Sequence, residues 1–546
     1  MVYRPAPHSE FELPSPPTCL AQRLPRSANR PLDPGLAIAT FLAAACIAGV
    51  AHADPAASES PSPPAEPAQG GWAAGVLGLP ALVPPSGVQS IDPRFRAQAT
   101  PAPEPAATAP WGAFSGAWQS PAVLGDLGGL RPALAKYGVT LQLFEEAETF
   151  GNLTGGVRQG FEVNGVTTAQ LQLDTKPVFG VDGGLFNVSG FHIWGGELSP
   201  SNLLNLQTVS GLEANASVRL WELWFQQKFG DAFDVKLGEQ SIDEEFMISQ
   251  NSAFFLNGVT GWPMLPSANL IAGGPAYPLA GFGVRGRAHG SNEITILAGV
   301  FNGSPIPLNS PNTQKSNPNG VIFPLDTGVF AIAELQFTFP PANPSGKPAG
   351  GGPLPGTYKI GAWYDSEDFD DQQIDTMGVP LASPHSNGVP AKKQGNFAIY
   401  AVADQTIWRS ADPNRILSAF LRPMFTTLQD RNEIAFSVNG GLTLHKPFPG
   451  RDGDVFGLGF GVARVGGGVS NYDRDLQVYE PEVYTPVRNT ETFLEATYQA
   501  QILQSWQIQP DIQYIINPGA GLANPDASTQ KIKSEFVIGL RTNITF

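Results

Sequence analysis

The sequence predicts an all-β protein: a transmembrane antiparallel β-barrel of sixteen strands, preceded by a short helix and a disordered spacer. Three observations lead to this fold class. Apolar and polar residues alternate from Val139 onward, the alternating segments are about ten residues long, and the gaps between them are short and long in turn. Successive side chains of a strand point to opposite faces. Strands of a membrane barrel alternate between lipid and lumen, with short turns at one end and long loops at the other.

Composition limits the other possibilities. The chain has 546 residues, of which only 15 % are charged, and no apolar run reaches the length of a spanning helix. A membrane protein without such helices must be a closed barrel, because lipid satisfies no backbone hydrogen bond. The net charge of -16 disfavours a nucleic-acid partner. The two cysteines, Cys19 and Cys46, lie near the N-terminus and the six histidines form no cluster, so we expect no cofactor and no metal site.

The first 120 residues are predicted to lie outside the barrel. Residues 1–53 have the pattern of an N-terminal extension and signal peptide, because the apolar run 36–50 follows arginines and precedes Ala51-His52-Ala53. The alternative for this run is a buried helix. Residues 54–120 are rich in Pro and Ala and bury too little apolar surface to fold, so we predict a disordered spacer.

The remaining residues, 121–546, are predicted to form the barrel domain. A short helix is expected at 126–137, because Leu130, Leu134 and Tyr137 recur at helical spacing and Gly138 can end the helix. Sixteen strands are predicted, an even number as in single-chain bacterial barrels. Their bounds are 139–150, 163–174, 184–194, 216–229, 233–240, 281–289, 292–301, 328–339, 357–366, 396–408, 414–426, 431–443, 455–465, 490–503, 506–517 and 534–546.

The last predicted strand alternates up to the final residue. Phe536, Ile538 and Leu540 share one face, whereas Arg541 lies on the other. We expect this strand to close the sheet with its apolar face in lipid, and Phe546 to be recognised by the barrel assembly machinery. The alternative is the final strand of a soluble sandwich.

Several local phrases resemble one family. They are GDLGGL at 125–130 leading into Tyr137-Gly138-Val139, LWELWFQQKF at 220–229, LGEQSIDEEFMISQNSAFFLNG at 237–258, YPLAGFGVRGR at 277–287, LAGVFNGSP at 297–305, YKIGAWYDSEDFDD at 358–371 and PDIQYIINPG at 510–519. Their order, across about residues 121–546, is similar to that of the OprB family, the carbohydrate-selective porins of Gram-negative outer membranes. The resemblance implies a sixteen-stranded barrel in outer-membrane lipid that passes monosaccharides such as glucose down their gradient. It leaves a monomer or a homotrimer open.

Selectivity needs polar side chains in the lumen, and two groups are candidates. Glu239, Gln240, Asp243 and Glu244 stand at the start of a long gap, 241–280, which can fold inward. Arg285 and Arg287 share the strand face opposite Phe282 and Val284, so we expect them in the lumen. The acidic loop and the basic wall would then create a transverse electric field across a constriction of the pore. The alternatives are a solvated acidic loop and surface charge near the mouth.

Trp194 is a further candidate, because an aromatic ring can stack on the C–H face of a sugar. An interfacial aromatic girdle is the commoner use of tryptophan in such barrels.

Other functions stay open at this stage. A general or cation-preferring diffusion porin would have the same fold. A surface all-β glycoside hydrolase would use Asp243 or Glu244 as acid and base, but no second carboxylate motif accompanies them. An adhesin would conduct nothing. We therefore predict a passive pore rather than an enzyme.

Overall fold

The computed structural model describes residues 122–290, 293–308, 314–339, 353–412 and 414–546. The predicted extension and signal peptide, 1–53, and the predicted spacer, 54–120, lie outside the described residues.

The strands within these ranges are numbered in chain order. They are β1 (Val139–Gly156), β2 (Gly160–Asp174), β3 (Gly184–Gly195), β4 (Ser217–Phe229), β5 (Phe233–Gln240), β6 (Gly281–His289), β7 (Ile294–Asn302), β8 (Val329–Phe339), β9 (Gly356–Asp375), β10 (Pro390–Arg409), β11 (Ile416–Phe425), β12 (Ile434–His445), β13 (Val455–Val465), β14 (Thr490–Leu503), β15 (Trp506–Ile516), β16 (Ala523–Asn524), β17 (Ala527–Lys531) and β18 (Lys533–Thr545).

The helices are short. They are α1 (Leu130–Ala135), α2 (Thr175–Phe179), α3 (Gly258–Gly261), α4 (Met264–Asn269) and α5 (Gly467–Tyr479), with a π-helical turn at Ser199–Leu203 and 3-10 turns at Ile242–Glu244, Ser252–Phe254, Ile271–Gly273, Gln314–Ser316 and Pro518–Ala520. Among the described residues, no helix has the length and apolar character needed to cross a membrane.

Strands β1 to β15 and β18 form one closed antiparallel barrel. Closure is made by β18, which pairs with β15 on one side and with β1 on the other, where Thr149 faces Leu540. Strands β16 and β17 form a separate hairpin in the connection before β18. The predicted sixteen-stranded barrel is confirmed, and each of the sixteen predicted segments overlaps one barrel strand.

Side chains separate onto the two faces of the wall as the alternation predicts. Outward residues such as Ile360 and Leu458 are 57 % and 47 % exposed, whereas the inward Trp363 and Phe493 are 2 % and 0 % exposed. Exposed apolar side chains around the whole outer wall would be unfavourable in water. In lipid they are the expected surface.

Several predicted strand ends were wrong, among them those of β1, β9 and β10. Strand β9 continues to Asp375 and β10 already begins at Pro390, so about half of the predicted gap 367–395 is sheet. This extension is polar on both faces, as in the Lys392–Asp370 ion pair of 2.7 Å, and an apolar period could not reveal it. The predicted gap 466–489 contains α5.

The predicted helix 126–137 is confined to α1. Leu127 has φ 55° and Gly129 has φ 91°, and these left-handed conformations cannot belong to a right-handed helix. Sequence periodicity carries no information on such a turn.

The segment before β1 is joined to the end of β18. The N–H of Val123 donates to the carbonyl oxygen of Thr545 at 2.8 Å, and the Arg131 guanidinium donates to the Phe546 carbonyl oxygen. The N–H of Phe546 donates to Leu143 O at 2.9 Å. Both segments therefore meet at the end of the barrel that carries the short turns, which is the periplasmic end in outer-membrane barrels.

Two connections fold into the barrel instead of projecting outward. We name residues 196–216, between β3 and β4, inner loop 1, and residues 241–280, between β5 and β6, inner loop 2. Most of their residues are buried. Their apolar side chains join inward wall residues in one cluster, which includes Leu203, Leu206, Val209, Phe246, Met247, Leu256, Val259, Trp262, Leu265, Phe330, Trp363, Tyr400, Phe493 and Val537. The lumen thus contains a hydrophobic core and is not filled by water alone.

Truncation of this internal core should destabilise the barrel. Leu265 in α4 is 0 % exposed. We expect L265A to lower the free energy of unfolding by about 2–5 kcal/mol, because a buried Leu-to-Ala change leaves a cavity. Urea unfolding in lipid vesicles, followed by tryptophan fluorescence, measures this. The control is L335A, since Leu335 faces outward and is 47 % exposed. Equal effects of the two changes would contradict a packed internal core.

Candidate functional site

Inner loop 2 is hydrogen-bonded to the wall on several sides of the lumen. The N–H of Met247 donates to Glu334 on β8 at 2.8 Å, and the Ser249 hydroxyl donates to Asp404 on β10 at 2.6 Å. Further along, the N–H of Leu256 donates to Glu495 on β14 at 2.6 Å. These strands lie on different sides of the barrel, so the loop crosses the lumen and narrows it.

Arg422 on β11 holds the middle of this loop. Its guanidinium is 1 % exposed and donates to four loop carbonyl oxygens. The acceptors are Met247 at 3.1 Å, Val259 at 2.8 Å, Thr260 at 2.5 Å and Gly261 at 3.0 Å. Its Nε donates to Asn439 Oδ1 at 2.8 Å. Five N–H donors in one rigid fork make Arg suited to collecting the carbonyl groups of an irregular loop.

Inner loop 1 is also held by β14, the strand that binds Leu256 of inner loop 2. Glu491 on β14 accepts the N–H groups of Leu206 and Gln207 at 2.8 and 2.7 Å. The two loops also bond directly, because the N–H of Gly211 donates to Leu256 O at 2.8 Å. Neither loop is therefore independent of the other.

Glu213 ties the ends of inner loop 1 together. Its carboxyl oxygen accepts the N–H groups of Leu198 and Ser199 at 2.9 and 3.0 Å. Burial raises the pKa of Glu213 to about 8, and the hydrogen bonds from Ser199 offset only part of that rise.

A charged cluster lies where inner loop 2 meets β5 and β6. We define it as Asp234, Lys236, Glu245, Arg285 and Arg287. Arg285 pairs with Asp234, and its Nη2 donates to Glu245 Oε1 at 2.9 Å. Arg287 Nη2 donates to Glu245 Oε2 at 2.8 Å, and Lys236 also pairs with Glu245. Burial alone would raise the pKa of Glu245, but the three neighbouring cations together hold it below its usual range.

The cluster differs from the arrangement expected from sequence. Arg285 and Arg287 do lie on the inner face, opposite Phe282 and Val284. Glu245 of inner loop 2 contacts both arginines directly. The acidic and basic groups therefore do not stand on opposite sides of a constriction, as the sequence had suggested. Arg285 is buried at 1 % exposure, whereas the Arg287 side chain is 31 % exposed. Of the two arginines, Arg287 is the one that a solute can reach.

The four acidic and amide candidates occupy different surroundings. Gln240 is buried and donates to Gly283 O at 2.8 Å. Asp243 accepts the Ser241 hydroxyl and the Tyr277 N–H, the latter at 3.2 Å. Burial raises the pKa of Asp243 to about 6, although the hydrogen bonds from Ser241 and Tyr277 act to lower it. Glu244 is half-buried on inner loop 2. Glu239 is 4 % exposed, and its register partners are the outward residues Leu223 and Phe282.

Trp194 does not face the lumen, and the stacking hypothesis for it was wrong. It lies on the face of β3 that carries Phe186, and the inward residues Phe191 and Ile193 lie on the other face. Its Nε1 donates to Glu145 Oε1 at 3.2 Å. Strand parity alone could not exclude it, because both faces of β3 carry apolar residues: Phe186 and Val188 on the face of Trp194, and Phe191 and Ile193 on the other.

Sequence reasoning missed a belt of amide side chains on the inner wall. Toward the end with the short turns, the inward positions carry Gln142, Gln170, Gln172, Asn187, Gln226, Gln336, Gln499, Gln507 and Asn543, which we name the amide belt. Some bond to each other, as Gln170 does to Asn187 at 2.8 Å and Gln499 to Gln507 at 2.9 Å. The carbonyl oxygens of Gln142, Gln170 and Asn543 accept from no donor among the described residues. Inward parity combined with Gln or Asn identity would have found this belt.

Across the described ranges, no group of three or more His, Cys, Asp or Glu side chains is placed to hold a metal ion. A closed barrel with an apolar outer wall, a loop across its lumen and a polar inner wall defines a diffusion porin.

Comparison with known proteins specifies the class. The family model described as "Carbohydrate-selective porin, OprB family" matches residues 158–546. The chain belongs to this family, and it is accordingly a sugar porin of a Gram-negative outer membrane.

Individual relatives are distant. The chain is similar to Porin B of Pseudomonas aeruginosa, with 25 % identity over 455 residues, covering 78 % of this chain and 91 % of the relative. It is also similar to the putative porin QuiX of Acinetobacter baylyi, with 23 % identity over 78 % of this chain and 93 % of the relative. The high-pH structure of Pseudomonas putida OprB shares the fold at a TM-score of 0.67 and 22 % identity, over 79 % of this chain and 100 % of that one.

Loss of the Arg422 guanidinium should loosen inner loop 2. We expect R422M to lower the free energy of unfolding, because each buried carbonyl left without a donor costs about 1–3 kcal/mol. Proteolysis of the folded protein should then cut within 241–280, and single-channel current should become noisier. R464M is the control, because Arg464 is exposed on β13. An uncut, quiet R422M channel would contradict the anchoring role.

Glu213 should make stability depend on pH. Its pKa is raised from 4.5 to about 8, so between these values the native state binds the proton and the unfolded state releases it. Its contribution to the free energy of unfolding therefore falls as pH rises through this window. We expect the stability of E213Q relative to wild type to increase from pH 5 to pH 9. Urea titrations at both pH values measure this, and a pH-independent difference would contradict a buried, protonated Glu213.

Proposed function

We propose that this porin passes monosaccharides such as glucose by passive diffusion, and that the amide belt and the solvent-accessible part of the charged cluster select them. The observation that carries the proposal is the amide belt. A sugar leaves part of its hydration shell on entering a narrow pore and needs replacement hydrogen bonds weak enough to release it. Neutral amides donate and accept without charge, so they suit hydroxyl groups better than ions.

Unpartnered acceptors support this assignment. The carbonyl oxygens of Gln142, Gln170 and Asn543 are buried, and no donor in the described part of the chain reaches them. Buried polar groups without partners are costly. A rotation of these side chains toward the lumen would let sugar hydroxyls or water supply the missing donors as a solute passes.

The charged cluster supports selection for neutral solutes over cations. It combines three cations with two carboxylates, so its formal charge is about +1 with all five groups ionised. Arg287 and Glu245 lie at the lumen edge of the cluster, with side chains 31 % and 13 % exposed. An ion pair of this kind can bond adjacent hydroxyls with its donors and acceptors. A general or cation-preferring pore is the alternative that the experiment below separates.

We also propose that the chain performs no catalysis. Asp243 is engaged by Ser241 and Tyr277 within inner loop 2, so it serves to shape that loop. Incubating the folded protein with oligosaccharides and measuring reducing ends tests this, and released sugar would contradict it.

Removal of residues 1–53, a disordered spacer at 54–120 and recognition of Phe546 by the barrel assembly machinery complete the proposal. Phe546 adjoins β1 in the folded barrel through its N–H bond to Leu143 O of 2.9 Å.

The two arginines should behave differently in liposome swelling assays. We expect R287A to reduce the preference for glucose over amino acids of equal size, because it removes a reachable donor while Arg285 still holds Glu245. We expect R285A to speed the entry of all solutes, because Glu245 on inner loop 2 loses one of its two buried cationic partners, the other being Lys236. Such losses of buried pairs cost about 3–5 kcal/mol.

R464A provides the matched control, since Arg464 lies on the outer face of β13. Heat-modifiable gel migration verifies that each variant is folded. If wild-type swelling followed solute size alone, the selective function would be contradicted. If selectivity were present but unchanged in R287A, only the role of Arg287 would be contradicted.

A further inference from the structure

The barrel wall is low at β5, and one edge of β4 extends past it. Strand β5 has 8 residues, whereas β4 has 13. The register pairs Glu239 near the end of β5 with Leu223, so residues 217–220 of β4 lie beyond the end of β5. Hydrocarbon offers no hydrogen-bond partner to a strand edge. This edge of β4 therefore needs a partner from another part of the chain.

The end of β5 also lies below the top of the hydrocarbon layer. A strand of 8 residues rises roughly 19 Å along the membrane normal at about 3.3 Å per residue and a tilt of about 45°. The stacked rings of Phe229 and Phe233, at the short turn between β4 and β5, mark the periplasmic boundary of the apolar wall. Because the apolar band of such a barrel is about 25 Å tall, about 6 Å of hydrocarbon remain above β5.

The described part of the connection between β7 and β8 occupies this position. The N–H of Leu220 on β4 donates to the carbonyl oxygen of Asn319 at 2.9 Å, on the edge that β5 does not reach. Asn302 at the end of β7 donates to the Pro324 carbonyl oxygen at 3.3 Å. From β4 to β7 is roughly 14 Å, or three strand spacings, and five residue steps span at most about 17 Å. Residues 319–324 therefore cross the ends of β5 and β6 in nearly extended form.

We name residues 319–325 the crossing segment, and its apolar side chains are exposed. Their exposed fractions lie between 37 % and 66 %, for Val321, Ile322, Phe323 and Leu325. The nearest outward residues of the flanking strands are also apolar, as Val218 on β4 and Val300 on β7 are at 61 % and 54 % exposure. The crossing segment contains no charged residue. It therefore continues the lipid-facing wall across the gap above β5 and β6.

Side chains near the crossing segment satisfy part of its backbone. The Asn317 amide donates to the carbonyl oxygen of Ile322 at 3.0 Å and accepts the Ile322 N–H at 3.2 Å, as a neighbouring strand would. Pro324 has no N–H, and its carbonyl oxygen also accepts the Thr327 hydroxyl at 3.1 Å. Irregular backbone is tolerated at membrane depth only where such bonds replace those of a sheet.

We propose that the crossing segment is embedded in the outer leaflet of the membrane. Its apolar side chains contact lipid acyl chains, and its backbone covers the edge of β4 above β5. The outer leaflet is the relevant one, because the connection lies at the end of the barrel opposite to the short turns. Acyl chains are the partner that fits, since the segment is uncharged, apolar and continuous with the lipid-facing wall at the same depth.

Spin-label accessibility tests this contact on the whole chain in lipid vesicles. Cys19 and Cys46 are replaced by serine, and a nitroxide is attached to F323C. Oxygen dissolves in hydrocarbon and a nickel chelate stays in water, so we expect a high ratio of oxygen to nickel accessibility at position 323. The ratio should equal that of I360C, because Ile360 faces outward on β9 at 57 % exposure.

M377C provides the aqueous control. Met377 is apolar and 71 % exposed, and it lies in the connection between β9 and β10, beyond the polar extension of these strands. We expect its ratio of oxygen to nickel accessibility to be severalfold below that of F323C. A ratio at position 323 as low as that at position 377 would overturn the proposal, because the crossing segment would then face water.

Two glycines test the contact with β4 separately. Gly320 has φ 66° and Gly378 has φ 80°, so alanine is strained at both positions. A Cβ on Gly320 would overlap the Leu220 carbonyl oxygen, whereas no described atom lies within 4 Å of a Cβ on Gly378. We expect G320A to lower the ratio at position 323 toward that of M377C and G378A to leave it unchanged.

Heat-modifiable gel migration verifies that both glycine variants are folded. An unchanged ratio in folded G320A, or an equal fall in G320A and G378A, would overturn the coverage of the β4 edge by the crossing segment. If G320A does not fold, the ratio measured on F323C with Gly320 in place still decides whether the segment contacts lipid.

Discussion

The backbone hydrogen bond in lipid is the constraint on which this structure depends. Hydrocarbon offers no partner to an N–H or a carbonyl group, so a sheet in the membrane must have no free edge. Strand β18 removes the two edges by pairing with β15 and β1. The join is reinforced inside by the Arg541–Glu148 ion pair and at one rim by the bonds from Val123 and Arg131. The even strand number and the alternation of the wall follow from this closure.

Closure creates a second problem, because sixteen strands enclose more space than their own side chains fill. The two inner loops fill part of it with an apolar core, and their irregular backbone then needs hydrogen-bond partners. Inward carboxylates and Arg422 provide them: Glu334, Glu491 and Glu495 accept loop N–H groups, and Arg422 donates to loop carbonyls. Many charged residues of the inner wall thus hold the loops in place instead of contacting solute.

Because some charged wall residues hold the loops and others stay open to solute, the sequence could predict the site only in part. Arg285 and Arg287 have the same residue type and the same strand parity, and sequence could not distinguish them. Inner loop 2 distinguishes them, because it covers Arg285 and leaves Arg287 partly open. The amide belt could be predicted from the sequence, because its residues are Gln and Asn side chains at inward-facing strand positions. It carries neither the charges nor the aromatic rings that point most directly to sugar binding.

The sequence by itself determined the barrel. Its sixteen segments, their order and the outward and inward faces follow from a period of two, which is a local property of each strand. The extension of β9 and β10 could not be predicted from an apolar period, because both faces of the extended hairpin are polar. Only the tertiary structure decided which connections fold inward, which carboxylates bind loop backbone and which residues stay open to solute. The physical reason is that these outcomes depend on contacts between segments far apart in the chain, such as Arg422 with Val259, and no local pattern records them.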